Sequence, residues 1–366
     1  MEEKQNNEEL ESVLAPEETL AEAPQEDGMD SPDFTEDDSL EKNVRLLSPT
    51  RMVLRRFFRS KLSIIGLVMV ISLILFSWLG PVFFHTWGET QPDELGMIQY
   101  RTDAVTLEGD DEVSFFQVTE THTTTNILAA PSGSHLLGTD EGGYDVFIRL
   151  MYGGRVSLTV SFLAVFVVTI LGIIFGGIAG YFGGVVDNII MRLCDILMCL
   201  PGLPIMLIIG TAFDSWGIDK QYRIYLLMLI LTMISWTGTA RLVRGQILFL
   251  REQEYMVAAE AMGFSTSRKI FKHLIPNVLP QLIVSMTLSL GSMILYEATL
   301  SYLGLGVPAP QAAWGSMIEV TSRRIDILQN NFNVWGPPGI CIIIAVLGFN
   351  FVGDGLRDAL DPKMKR

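Results

Sequence analysis

Long uncharged apolar runs decide what this chain can fold into. Leu62 to Phe84 holds no Asp, Glu, Lys or Arg, and as a helix it would reach about 34 Å, enough to cross a hydrocarbon core of about 30 Å. Further apolar runs at about Val156–Tyr181, Ile189–Phe213, Ile224–Arg244, Asn277–Tyr296 and Pro337–Val352 give six candidate spans. A backbone in lipid must satisfy its own hydrogen bonds, so spans of this length are helices. The expectation is an all-α integral membrane protein with six transmembrane helices and a small extracellular insertion. Of its 366 residues, 49% are hydrophobic, too many for an ordinary soluble protein.

The formal charge of −15 misleads unless it is located. Residues 1–45 hold 16 acids against Lys4, Lys42 and Arg45, and the remainder is close to neutral with 25 acids and 23 bases. That tail is rich in Glu, Asp, Pro and Ser and poor in aromatics, a composition that buries too little apolar surface to order itself. Residues 1–50 are read as a disordered acidic cytoplasmic tail, and 51–84 as a basic flank and first span. Arg51, Arg55, Arg56, Arg59 and Lys61 stand directly before that span, which is read as an uncleaved signal anchor.

Residues 85–155 are read as an extracellular insertion, with alternation in VSFFQVTETHTTT predicting one or two strands. Residues 156–356 form the membrane core, with five spans and a cytoplasmic loop at about 245–276, and 357–366 a cytoplasmic end. With the amino terminus inside, the inner flanks carry 15 Lys or Arg and the outer segments 7, as the positive-inside rule requires. Both termini are expected in the cytoplasm.

The mixed segment EYMVAAEAMGFSTSRKIFKHLIP, Glu254 to Pro276, interrupts the apolar runs. It predicts a helix, a left-handed stop at Gly263, and a second helix capped by Ser265 or Thr266 and ending at Pro276. Tyr255, Ala259 and Met262 recur on one helical face, and Ala258, Ala259 and Ala261 permit close approach. Elsewhere the chemistry is sparse. No GxxxxGK[ST] phosphate loop is present, and the spans hold few ionisable groups where an ion-coupled carrier would need a relay. Arg192 and Asp195 are spaced to pair on one helix face, Glu297 falls at the outer end of the fifth span, and Trp314 is expected in the interfacial aromatic belt. Gly172 and Gly176 have the spacing of close helix packing within the subunit, and Pro201 and Pro204 predict a kink in the third span. Cys194, Cys199 and Cys341 read as buried small hydrophobes. His85, His122, His135 and His273 are scattered, with no metal spacing and no visible triad.

Ala258, Ala259, a glycine four residues on at Gly263 and a proline thirteen beyond it at Pro276 resemble the EAA loop of binding-protein-dependent ABC importer permeases. The departure is Val257, where that motif has Glu. HLLGTDEGGYDVFIRLMYGGRVSL, RRFFRSKLSIIGLV, ATLSYLGLGVPAPQAAWGSMI and NFVGDGLRDALDPK resemble the C-type permease subunit of oligopeptide and dipeptide importers, over roughly residues 50–366. The resemblance implies the type I ABC importer permease fold and a non-enzymatic subunit in a prokaryotic plasma membrane. It implies a B-type permease, two ATPase subunits that bind ATP and Mg, and an extracellular peptide-binding protein as partners, with no nucleic acid. Tyr255, Ala258, Ala259, Gly263 and Pro276 are then the ATPase-coupling residues, and no catalytic, cofactor or metal residue is expected in this chain. Related systems carry nickel chelates or glutathione, so a nickel or other small-solute importer is the alternative within the class. A self-sufficient secondary transporter and a membrane receptor are the alternatives outside it.

Overall fold

A computed structural model describes residues 49–108 and 112–360. The acidic tail up to residue 48 and the last six residues lie outside the described residues. Two elements precede the bundle. The short helix α1 (Pro49–Phe57) carries the basic flank, and α2 (Lys61–Phe83) is the first span, its first turn capped by Ser60, whose side chain accepts from the Ser63 amide. An antiparallel ribbon follows, β1 (Glu94–Glu108) with β2 (Glu112–Thr125), in a register running from Gly96↔Thr124 to Glu108↔Glu112.

The core helices are α3 (Val146–Phe182), α4 (Gly184–Met198), α5 (Gly202–Ser215), α6 (Lys220–Arg251), α7 (Glu254–Ala261), α8 (Thr266–Leu305), α9 (Trp314–Arg323), α10 (Ile325–Asn330) and α11 (Phe332–Leu360). Among the described residues five helices, α2, α3, α6, α8 and α11, are long and apolar enough to cross a membrane, and α4 with α5 makes a sixth if the bent pair is one span.

Several spans depart from their expected limits. The helix of the second span starts at Val146, ten residues before Val156, because Asp145 caps it, its Oδ1 accepting the Ile148 amide at 2.9 Å. The third is not one kinked helix: α4 and α5 meet at 76° across Cys199 to Pro201. The fifth begins far upstream of Asn277. Pro276 does not end a helix: α8 runs through it from Thr266, with π-helical turns at Lys269–Leu274 and Ser301–Leu305, and Pro276 stands where α-helical winding resumes after the first of them.

Small residues set the helix spacing. A methyl group on Gly176 would stand 2.3 Å from the Ala240 carbonyl oxygen, and Gly172 and Gly180 are pressed likewise against Thr239 and Ile247, so the glycine run of α3 packs on α6 inside this subunit. Gly66 of α2 meets Phe351 and Gly348 of α11 in the same way. Val70, Leu150, Leu158, Ile294, Ala345 and Phe349 fill the core among α2, α3, α8 and α11.

Trp314 is a correction. It is fully buried rather than interfacial: its Nε1 donates to the Leu150 carbonyl at 2.9 Å, its amide to Ser157 Oγ at 3.2 Å, and Gly153 and Gly154 make room for it. Cys199 is a second, being exposed at the helix break, whereas Cys194 and Cys341 are buried as expected.

Candidate functional site

The segment joining α6 to α8 folds as the expected helix, turn and helix. α6 ends at Arg251, Gln253 starts the next helix, and α7 runs only from Glu254 to Ala261. Gly263, with φ of 72°, ends it in a Schellman motif: the Phe264 amide donates to Ala259 O at 3.1 Å and the Gly263 amide to Glu260 O at 2.9 Å. Ser265 occupies the cap position of the following helix without a side-chain hydrogen bond.

The faces of α7 differ from the sequence pattern. Met256 and Ala259 are buried, and Met256 packs with Val243, Ile247, Leu274, Val278 and Leu282 of α6 and α8. Tyr255 and Met262 are exposed, so they do not share a buried face with Ala259. Of the five predicted coupling residues, Tyr255, Ala258, Gly263 and Pro276 reach the surface and Ala259 does not. The two alanines therefore divide: Ala259 seats α7 on its own subunit and Ala258 leaves its other side shallow. Val257 is 60% exposed and gives that surface an apolar residue where the resemblance expects a carboxylate.

This loop is tied to the end of α3. Arg251 Nη1 donates to the Tyr181 carbonyl at 2.9 Å, and Lys269 Nζ stands 5.8 Å from the Tyr181 ring centroid. Phe264 is stacked between Arg268, 4.2 Å away, and His273, 5.9 Å away, which fixes the loop after Gly263. The nearby charges of α4 also find partners on α6. Arg244 grips Asp187 with Nε and Nη2, the second bond 2.5 Å long, and Arg241 Nη2 donates to Asp195 Oδ1. The expected Arg192–Asp195 pair does not form, because Asp195 turns to α6 instead.

At the other end of the bundle a cavity of about 410 Å³ opens among the 140–144 turn, the starts of α6 and α11, the end of α8, and α9. Its buried charges are matched within the wall: Arg149 holds Asp140 and the Gln311 carbonyl, and Arg223 holds Asp214 and the Gly304 carbonyl. Glu297 is wholly buried beneath it, accepting from Ser301 Oγ at 2.8 Å.

The base of the ribbon contains a cluster that sequence reasoning missed. His135 is 2% exposed, with Nδ1 2.8 Å from Asp145 Oδ2 and Nε2 3.2 Å from Asp93 Oδ2. Asn126 Nδ2 also donates to Asp93 Oδ2 at 2.9 Å. That bond above all, with His135 behind it, holds the Asp93 carboxyl below its ordinary range, while burial pushes the Glu89 carboxyl up. The available signal was the segment His135 to Asp145, whose polar residues are too dense for a span and too few for a free loop.

Residues 172–366 match the family described as binding-protein-dependent transport system inner membrane component, and residues 48–95 match the N-terminal transmembrane domain of oligopeptide transport permease C. The oligopeptide transport system permease protein OppC of Bacillus subtilis is 35% identical over 87% of this chain and 92% of its own length. The chain belongs to this permease family. The dipeptide transport system permease protein DppC of Alkalihalophilus pseudofirmus is 34% identical over 89% of this permease and 93% of its own length. Among solved structures, the MetNI methionine ABC transporter in inward facing conformations aligns at a TM-score of 0.45 and 20% identity, over 58% of this permease and 96% of that chain. Family membership rests on the sequence matches, and this family member is a multi-pass membrane protein.

Proposed function

We propose that this permease is one of two membrane subunits of an ATP-driven peptide importer, and that α7 is where it meets an ATPase subunit. The observation that carries the proposal is the two-sided seating of α7. Met256 and Ala259 hold the short helix on the permease's own core, while Tyr255, Val257, Ala258 and Met262 are left outward. A helix of eight residues has little stability of its own, so a groove on a partner suits that outward face. Closure of two ATPases would move α7 as a rigid body, and α6 and α8, which flank it without a flexible linker, would follow.

In this reading ATP and Mg are held by the ATPases, a B-type permease supplies the other half of the pathway, an extracellular binding protein delivers the peptide, and both termini lie in the cytoplasm. Peptide is the cargo because the two relatives described above carry oligopeptide and dipeptide transport in their names. The test is purification of the assembly followed by uptake of labelled peptides of graded length into proteoliposomes. Uptake should need ATP inside and binding protein outside. Uptake by this chain alone under an ion gradient would overturn the proposal, and nickel-only uptake would overturn its substrate.

A further inference from the structure

α4 is built as a rod with a joint at each end. At its start Gly183 and Gly184 have φ of 66° and 55°, and a methyl on Gly184 would meet nothing within 4 Å, so these glycines serve the backbone turn rather than packing. At its far end the chain bends by 76° into α5. Pro201, with φ of −73° and ψ of 106°, occupies the N-cap position of α5, outside the regular helix.

One apolar seam and two ion pairs attach the rod to the bundle. Cys194 is its one buried residue among those described, and with half-buried Ile190, Met191 and Leu197 it packs against Val168 and Phe175 of α3 and Trp236 and Ala240 of α6. Val185, Ile189 and Ile196 are 74%, 65% and 63% exposed. The polar ties to α6 are the ion pairs Asp187–Arg244 and Asp195–Arg241. The first is bidentate, with Asp187 16% and Arg244 32% exposed. Planar two-point pairing fixes direction as well as distance, so it transmits rotation as a single-point contact would not.

The partner helix gives these pairs their meaning. Arg241 and Arg244 lie three residues apart on α6, about two to three turns before α6 passes into α7. Movement of α7 carried along α6 reaches the polar contacts of α4 through these two arginines.

We infer that Asp187 and Asp195 are positioning residues for transport, clamping the jointed rod to α6 so that the broken span follows the coupling helix. The inference rests on the reading of α7 as the ATPase contact. Without the pairs only the apolar seam around Cys194 would remain, and the rod would turn about it while α6 moved.

The experiment uses the complete transporter with its ATPases and binding protein in proteoliposomes. Asp187→Asn and Asp195→Asn should assemble and hydrolyse ATP, yet take up about tenfold less peptide per ATP with KM unchanged, a loss specific to the driven step. The exchange Asp187→Arg with Arg244→Asp should restore most of that yield. Unchanged uptake per ATP in both single variants, or a charge exchange that restores nothing, would overturn the inference. A readout independent of activity is the distance between spin labels at Ile189 on α4 and Phe249 on α6, in a Cys199→Ser background. Addition of ATP should leave it fixed in the parent and broaden it in Asp195→Asn, whose half-exposed side chain makes misfolding no obstacle; equal distributions would overturn the inference. If Gly263→Val leaves uptake intact, the coupling reading itself fails. If Gly263→Val uncouples and the aspartate variants do not, only the clamp fails.

Discussion

Gly263 illustrates how one backbone angle can be tested apart from packing. Its φ is 72°, and an added Cβ would find open space, so a substitution is opposed by backbone strain alone. For a β-branched residue that strain is about 1–2 kcal/mol, enough to re-aim a turn held by two hydrogen bonds and too little to unfold the bundle. Gly263→Val should therefore insert and assemble normally while ATP hydrolysis continues without matching uptake; wild-type uptake per ATP would remove the turn from the coupling route. Asp93 gives a second test, now in pH. Its folded carboxyl titrates below the unfolded value near 3.9, so its contribution is fully present above that value and is lost as pH falls through the lowered one. Protection of the amides across 126–145, relative to their unfolded exchange rates, should be high at pH 5 and fall below about pH 4. Asn126→Leu, which removes the main donor to Asp93, should bring that onset to higher pH, and an unmoved onset would remove Asn126 from the cause. Gly263 was legible in the sequence because a left-handed stop is a local matter. Trp314 was not, because what buries it lies 164 residues earlier, at Leu150.

At the level of elements, apolar length located the spans but not their ends. Six runs marked six places in the bundle, yet the caps that extend them are polar: Asp145 begins α3 ten residues early, and Asp219 begins α6 by accepting the Gln221 amide at 3.0 Å. The break in the third span was foreshadowed by Pro201 and Pro204. Its 76° angle was not, because a proline interrupts a helix without fixing the direction in which the next one leaves. The α3–α6 seam makes a prediction of its own. At Gly176 an added Cβ would lie 2.3 Å from backbone oxygen of Ala240, which cannot swing aside as a side chain does. Gly176→Ala should destabilise the permease by about 1–3 kcal/mol through forced separation of the helices, seen as a lower thermal midpoint in the purified assembly. Gly177→Ala should be nearly silent by comparison, because its nearest neighbour would be Ile247 Cδ1 at an ordinary 3.8 Å. Equal shifts for the two would show that this seam is not close packed.

For the whole molecule, the division between the ribbon and the bundle sets what can be removed. Gly96 and Thr124 are partners in the ladder, so chain entering and leaving the ribbon is already side by side. Just below them Asp93, Asn126, His135 and Asp145 hold the two ends to the start of α3. A two-stranded ribbon adds little stability by itself, and the closure entropy of a short replacement loop is small. Replacing residues 96–124 by a short Gly-Ser turn should therefore leave expression, assembly and thermal midpoint near those of the parent. The same replacement combined with His135→Ala should not, because the ends would then lose both the ladder and the buried imidazole that bridges Asp93 and Asp145. Collapse of the shortened chain on its own would mean that the ribbon belongs to the folding unit. Survival of the double variant would mean that the buried cluster is not what joins the ribbon to the spans.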